Sequence, residues 1–189
     1  MIQKAFEINK NNLKKYNFYL FYGENEGYKN EIIKNKFKQL YQNQTYKYDE
    51  KEVLEKKNEF FNSILSKSFF ENEKLIIISR VTDKIKDIIE EIFLKKINDT
   101  KIILSASILE KKSKLRNYFE KNKDTICIAF YADTNQTLGN IAVNFFREKK
   151  ISISQETINL IVERCKGNRE NLNNELKKVE NFAKSRKRI

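Results

Sequence analysis

A stretch near the N-terminus, YGENEGYKN at 22–30, has the glycines and the lysine of a loop that binds phosphate groups. It follows an apolar run and precedes an amphipathic one, which is where such a loop lies between a strand and a helix. In the functional pattern, G-x-x-x-x-G-K-S/T, backbone N–H groups surround the phosphates, the lysine neutralises them, and the hydroxyl holds Mg²⁺. The stretch raises the question of whether the protein hydrolyses a nucleotide.

Two positions of this stretch depart from the functional pattern. Aligned on Lys29, it keeps Gly23 and Lys29 but has Tyr28 in place of the second glycine and Asn30 in place of the hydroxyl residue. Gly27 is one residue out of register. We therefore interpret Gly23, Tyr28, Lys29 and Asn30 as a degenerate, non-functional phosphate loop.

Carboxylates near the loop also argue against hydrolysis. Glu24 and Glu26 place negative charge at the helix end that would otherwise attract a phosphate. An ATPase of this kind needs an acidic residue at the end of the next central strand, but that apolar run ends in Ser79 and Arg80, and the first carboxylate after it is Asp83. We expect no catalytic residue, no metal site and no cofactor.

The same residues suit a structural role. Gly23 lets the chain turn away from the first strand, and Asn25 or Glu24 can cap the following helix. Tyr28 is expected to begin the apolar stripe that packs this helix on the sheet. The stripe continues at helical spacings through Ile32, Ile33, Phe37, Leu40 and Tyr41.

Predicted strands and helices alternate along residues 1–134 and could position this loop. Runs rich in β-branched and aromatic residues predict five strands, at 17–23, 45–49, 74–79, 101–107 and 125–132. Helical patterns lie between them, including one helix over 53–65 and a polar helix around 112–121. This alternation predicts a three-layer α/β domain with a parallel sheet.

Residues 135–189 show helical periodicity alone and predict a small domain of three helices. Ser154 is a candidate N-cap for the second of these helices, and Gly167 a candidate stop. Arg164, Lys166 and Arg169 flank that glycine, and we expect them to lie on a solvated surface.

Composition limits the possible functions. A net charge of +12 suggests an acidic partner, nucleic acid first, although the lysine-rich and asparagine-rich usage is also typical of an AT-rich coding background. The absence of histidine removes the commonest general base and zinc ligand. Cys127 and Cys165 lie in apolar contexts and are expected to be buried free thiols. With no apolar leader and no apolar run long enough to span a membrane, we expect a cytoplasmic protein.

Four blocks of the sequence together resemble the delta subunit of the bacterial DNA polymerase III clamp loader. In chain order they are YLFYGENEGYKNEIIKNKF, SILSKSFFENEKLIIISR, LEKKSKLRNYFEKN and the long segment 130–183. The order and spacing of the blocks match the family over nearly the whole chain. No single block is specific, but the set is.

This resemblance implies a RecA-like AAA+ domain without a working ATP site, over 1–134, followed by a small helical lid domain over 135–189. Family members bind the ring-shaped sliding clamp, the beta subunit. They open it while ATP-binding partners, the delta prime and tau/gamma subunits, load it onto primed DNA. A third, collar domain would begin about where this sequence stops, so we expect it to be absent from this chain.

The resemblance also places the clamp contact in the segment between a helix and the central strand. The matching residues are Ser68, Phe69 and Phe70, with Leu65 supporting them from the helix. Independently, adjacent aromatic residues with polar neighbours in an irregular segment are typical of an interface anchor. The residues alone favour packing of one or both rings beneath the sheet edge, and the resemblance reverses that preference.

Other functions stay open from the residues alone. One is an active P-loop ATPase, and another is a basic nucleic-acid-binding domain unrelated to clamps. The polar helix in LEKKSKLRNYFEKNK has a row of basic residues that could lie along DNA, although a solvated helix face is the more ordinary interpretation.

Overall fold

The structure, a computed structural model, describes residues 2–4, 15–41, 44–65, 73–95, 97 and 99–186. The chain forms two compact units. The first, which we call the sheet unit, comprises Met1–Glu24 and Lys29–Phe130. The second, the helical unit, comprises Asn25–Tyr28 and Tyr131–Ile189.

Within the sheet unit, the described residues form a six-stranded sheet in which all neighbouring strands are parallel. Its spatial order is β1-β6-β2-β5-β4-β3. The strands are β1 (Ile2–Lys4), β2 (Phe18–Tyr22), β3 (Thr45–Asp49), β4 (Lys74–Ser79), β5 (Thr100–Ser105) and β6 (Thr125–Ala129). The five strands predicted from apolar runs are confirmed. The edge strand β1 was not predicted, because its three residues, IQK, contain no such run.

Helices cover both faces of this sheet. They are α1 (Glu26–Ile32), which continues as a π-helical turn (Ile33–Lys38), α2 (Glu50–Glu55), α3 (Lys57–Leu65), α4 (Lys86–Leu94) and α5 (Lys114–Lys121). Side chains of α2 to α5 pack on one face with Leu20, Ile76 and Leu104. On the other face, Phe37 packs edge-on against Tyr19. Because both faces are covered, the central strands are apolar along their whole length.

Two features of these helices differ from the sequence predictions. The helix expected over 53–65 is broken at Lys56, whose backbone leaves the helical region, and α2 and α3 lie on either side. Leu40 is 63% exposed, whereas Ile32, Ile33 and Phe37 are buried. The π-helical turn explains this second difference, since its i→i+5 bonds widen the helix and rotate later residues off the α-helical stripe.

The helical unit contains three helices among its described residues: α6 (Asn135–Glu148), α7 (Gln155–Cys165) and α8 (Arg169–Arg186). Their core includes Leu138, Phe146, Val162 and Leu172. The start of α7 at Ser154 and its stop at Gly167 are both confirmed. No helix among the described residues has both the length and the apolar character to cross a membrane.

The ends of α7 follow from two local signals. The Ser154 hydroxyl accepts a hydrogen bond from the Thr157 N–H at 3.2 Å, which satisfies a free donor at the helix start. At the other end, Lys166 and Gly167 have positive φ angles of 46° and 75°. This left-handed backbone stops the helix and turns the chain toward α8.

Candidate functional site

The degenerate phosphate loop begins at a position that only glycine can occupy. Gly23 has a φ angle of 121°, and a Cβ atom there would lie 2.2 Å from the carbonyl oxygen of Phe130. Its N–H donates a hydrogen bond to the carbonyl of Ser107 at 2.9 Å. The loop is therefore fixed against the chain that follows β5 and β6.

Lys29, the residue that would neutralise phosphates, is fully buried in the sheet unit. Its ammonium group donates to the carbonyl oxygen of Gly23 at 2.9 Å and to that of Ala106 at 2.7 Å. A lysine that binds phosphate must present its ammonium to the ligand. Here the ammonium ties the loop to the end of β5.

The other loop positions do not resemble a phosphate cradle. The Asn25 side chain accepts a hydrogen bond from the Tyr28 N–H at 3.0 Å, so Asn25, rather than Glu24, caps α1. Tyr28 is half-buried, and its ring centroid lies 3.8 Å from the guanidinium carbon of Arg169. The expectation that Tyr28 begins the stripe on the sheet was wrong, because its ring stacks on arginine within the helical unit. Asn30 is exposed.

A buried ion pair forms the centre of this cluster in the helical unit. Arg169 donates from Nε to Asp133 Oδ2 at 2.8 Å and from Nη2 to Oδ1 at 2.7 Å. The two side chains are 7% and 6% exposed. Asn25 also donates to Asp133 Oδ2, at 2.8 Å. The carboxylate thus accepts three hydrogen bonds, which is the arrangement a buried charge requires.

Close packing accompanies this ion pair. A Cβ atom on Gly27 would lie 2.9 Å from the backbone nitrogen of Glu170 and 3.2 Å from Arg169 Cβ. The expectation that Arg169 lies on a solvated surface was therefore wrong. Sequence reasoning missed the cluster, because Arg169 and Asp133 are 36 positions apart and neither belongs to a motif.

At the end of β4, carboxylates serve as structural acceptors. Asp83 accepts from the Ser113 hydroxyl at 2.6 Å and from the N–H groups of Lys114 and Leu115. Burial raises the pKa of Asp83, but these hydrogen bonds outweigh it and hold the pKa below its usual value. Glu50 accepts from the Thr82 N–H at 2.6 Å. Among the described residues, no group of three or more acidic or cysteine side chains is arranged to hold a metal ion.

Both cysteines are buried and free, as the sequence predicted. Burial raises the pKa of Cys127 to about 12 and also raises that of Cys165. A thiol must ionise to act as a nucleophile. Neither cysteine is therefore suited to covalent chemistry.

The proposed clamp contact falls largely outside the described residues. Ser68, Phe69 and Phe70 all lie outside them. Leu65 is the last residue of α3 and is 45% exposed. This exposed leucine begins the segment in which the contact is expected.

The parallel sheet, the loop between β2 and α1, and the following helical unit define an AAA+-like, RecA-type fold. Among solved structures, the Bacillus subtilis DNA clamp loader delta protein matches 95% of this chain at 17% identity, with a TM-score of 0.60. The resemblance seen in the sequence is therefore matched by a likeness in structure. This chain spans 57% of the length of that delta chain.

Other proteins share the fold. Domain III of the Thermotoga maritima replication initiation protein DnaA matches 91% of this chain and 78% of its own, at 14% identity and a TM-score of 0.50. The Thermotoga maritima RuvB Holliday junction branch migration motor matches 90% and 56%, at 14% identity and a TM-score of 0.55. No protein-family model and no curated protein sequence matches the chain. The comparisons establish the fold.

Proposed function

We propose that this chain is the clamp-binding part of a clamp-loader delta subunit and does not itself hydrolyse ATP. It binds the ring-shaped sliding clamp and opens it, while ATP-binding subunits of the delta prime and tau/gamma types load the ring onto primed DNA. Support comes from the resemblance of four sequence blocks and from the structural likeness to the delta protein.

The main observation behind the proposal is that the Lys29 ammonium of the loop is bound by carbonyl groups of the chain itself. The fold alone does not choose between a clamp-loader subunit and a motor, because RuvB has the same fold. Lys29 is fully buried and donates to two carbonyl groups of the chain itself. Binding a triphosphate there would require both hydrogen bonds to break and the ammonium to leave its buried position, and Asn30 supplies no hydroxyl for Mg²⁺.

The clamp contact in this proposal consists of Phe69 and Phe70, with Ser68 beside them and Leu65 at the end of α3. Leu65 is 45% exposed although it follows the buried Phe61 and Ile64 on the same short helix. A large apolar side chain left exposed four positions before two consecutive phenylalanines in the sequence suits a protein interface with an aromatic anchor.

A titration of the chain against the sliding clamp of the same organism tests this contact. We expect Phe69→Ala with Phe70→Ala to weaken binding strongly, since aromatic anchors commonly contribute about 2 kcal/mol or more each. A matched control is Tyr131→Ala with Phe182→Ala, because both of these aromatic side chains are exposed elsewhere. Calorimetric affinities that are equal for the two double variants would refute the proposed contact.

A further inference from the structure

Strand β3 forms one edge of the sheet. It pairs with β4 on one side, and no strand among the described residues pairs with its other side. An edge strand offers its backbone N–H and C=O groups to a further strand. Which strand can bind there depends on the backbone groups that point outward and on the side chains beside them.

The hydrogen bonds between β3 and β4 determine which residues point outward. The Leu75 N–H donates to the carbonyl oxygen of Gln44 at 2.9 Å, so the backbone groups of Gln44 are directed to β4. In a parallel pair of strands, this direction alternates from one residue to the next. The N–H and C=O groups of Thr45 and Lys47 therefore point away from β4, toward the open side of β3.

The face of β3 that carries Lys47 has a cluster of positive charge. Thr45 lies on the same face, and its hydroxyl donates to the Tyr41 carbonyl at 2.9 Å, which places this face beside the chain that follows the π-helical turn. From that turn, the Lys38 side chain lies within hydrogen-bonding reach of Lys47. Lys34, earlier in the same turn, adds a third ammonium group to the cluster.

Among the described residues, no ion pair offsets these three charges. The pairs formed there include none of Lys34, Lys38 and Lys47. Burial, followed by the charges of Lys47 and Lys34, lowers the pKa of Lys38. Like charges repel at this distance, and an anion placed among them removes the repulsion. The surface beside the open edge therefore favours a negatively charged partner.

The outward row of β3 ends at Asp49, whose negative charge is already paired. Its carboxylate pairs with the Arg80 guanidinium and accepts a hydrogen bond from the Lys51 N–H at 3.1 Å. Arg80 is itself exposed, so an approaching carboxylate meets a cation at this end of the strand as well. Asp49 therefore does not make the edge unsuitable for an acidic segment.

The lysines also limit which strands can pair with β3. Residues opposite each other on paired strands have side chains on the same face, where opposite charges are favourable and like charges are not. A second copy of this chain, paired through β3, would bring the lysine clusters of both copies together. A strand with carboxylates at alternate positions would instead place them against the cluster.

We propose that the open edge of β3 binds an extended, acidic segment of a partner protein as an added strand. The segment pairs with the outward backbone groups of Thr45 and Lys47. Its alternate carboxylates lie against the ammonium groups of Lys47, Lys38 and Lys34. In this mode of binding, backbone hydrogen bonds supply affinity and alternate side chains supply specificity. The proposed clamp contact, at 65–70, uses none of these residues, so the edge is a further interaction surface.

Fluorescence anisotropy of the whole chain with a labelled peptide of alternating glutamate and valine tests the proposal. We expect this peptide to bind and a peptide of alternating lysine and valine not to bind. N-methylation of every residue keeps the charge of the glutamate–valine peptide but removes its N–H donors, and it should abolish binding. Binding should also slow hydrogen exchange at the Thr45 and Lys47 N–H groups, which point toward the added strand.

Variants of the chain test the lysine cluster. The edge variant is Lys38→Glu with Lys47→Glu. The control, Lys111→Glu with Lys123→Glu, makes the same change in net charge at two exposed lysines in turns. Reversing two charges turns favourable cross-strand pairs into unfavourable ones, so we expect the edge variant to lose at least about tenfold in affinity. The control should lose far less.

Four outcomes would overturn the inference: no binding of the glutamate–valine peptide, equal binding of its N-methylated form, equal losses in the edge and control variants, or self-association of the chain through β3. Equal binding of the N-methylated form would show that charge alone attracts the peptide. Clamp titrations separate this inference from the proposed function. We expect the edge variant to keep its clamp affinity, and Phe69→Ala with Phe70→Ala to keep its peptide affinity.

Discussion

The start of α1 and the exposed face of α5 hold their cationic side chains in opposite ways. In the sheet unit, Lys29 donates to two carbonyl groups of its own unit. Separately, in the helical unit, Arg169 pairs with Asp133 and stacks on Tyr28. On α5, Lys114 and Lys121 are exposed along a groove. The difference shows that a basic residue is available to a ligand only where the chain does not already use its charge.

The comparison also reverses what the sequence suggests about each region. The loop at 22–30 resembles a phosphate site, yet its lysine is internal. The helix at 114–121 has no phosphate motif, yet its basic side chains line a groove. Variants that disturb one region and spare the other therefore test this difference, beginning with the largest expected effect.

Removing the arginine of the buried ion pair should have the largest effect on stability. Arg169→Ala leaves the Asp133 carboxylate buried without its cation, which commonly costs about 3 to 5 kcal/mol. We expect thermal or urea unfolding to show this loss. The control, Arg164→Ala, removes an exposed arginine from α7 and should change stability by less than about 0.5 kcal/mol.

A double-variant cycle sharpens this prediction. If Arg169 and Asp133 stabilise the protein as a pair, Asp133→Ala with Arg169→Ala should destabilise it by less than the sum of the two single variants. Strictly additive losses would mean that the two side chains act independently, contrary to their bidentate hydrogen bonds.

Replacing the buried lysine of the loop should have the next largest effect. Lys29→Ala leaves two carbonyl groups without their ammonium donor, and we expect a loss of about 2 to 3 kcal/mol in unfolding free energy. Lys29→Met keeps much of the side-chain volume and should lose less. Lys34→Ala, at an exposed position two residues after the end of α1, serves as control. A loss in Lys29→Ala no greater than in that control would contradict the internal role of Lys29.

On α5, the corresponding change should leave stability almost unaltered. Lys121→Ala removes an exposed cation that is unpaired among the described residues, so the unfolding free energy should change by less than about 0.5 kcal/mol. Marked destabilisation by Lys121→Ala would remove the contrast between the two regions.

A pH-dependent effect is expected for Asp83, which accepts hydrogen bonds from N–H groups at the start of α5. Its folded-state pKa is lowered, so its contribution to stability is present above the pKa of the unfolded chain, about 3.9, and is lost as pH falls through the folded pKa. We expect Asp83→Ala to be less stable than the unaltered chain at neutral pH and the difference to shrink below about pH 4. A difference independent of pH would show that the charge of the Asp83 carboxylate does not stabilise the fold.

Much of the fold was predictable because buried parallel strands leave a clear pattern. Runs such as KLIIIS at 74–79 are apolar throughout, since both faces of the strand are covered. The edge strand Ile2–Lys4 has no such run and was missed. The exposed position of Leu40 was missed as well, because nothing in the sequence indicates a π-helical turn.

The site was less predictable than the fold. Substitutions at Tyr28 and Asn30 indicated a degenerate loop, but they did not indicate where the Lys29 ammonium goes. Because lysine is almost never fully buried, the sequence gives no reason to expect a buried Lys29. The pairing of Arg169 with Asp133 depends on contacts between distant parts of the chain, which a single sequence does not reveal.

The most direct measurement is a calorimetric titration of this chain with the sliding clamp of the same organism, with and without Mg²⁺-ATP. We expect clamp binding with the same affinity in both conditions, because the Lys29 ammonium is already bound by carbonyl groups of the chain. We also expect no ATP turnover. Absence of clamp binding, or ATP turnover that disappears in Lys29→Ala, would contradict the proposed function.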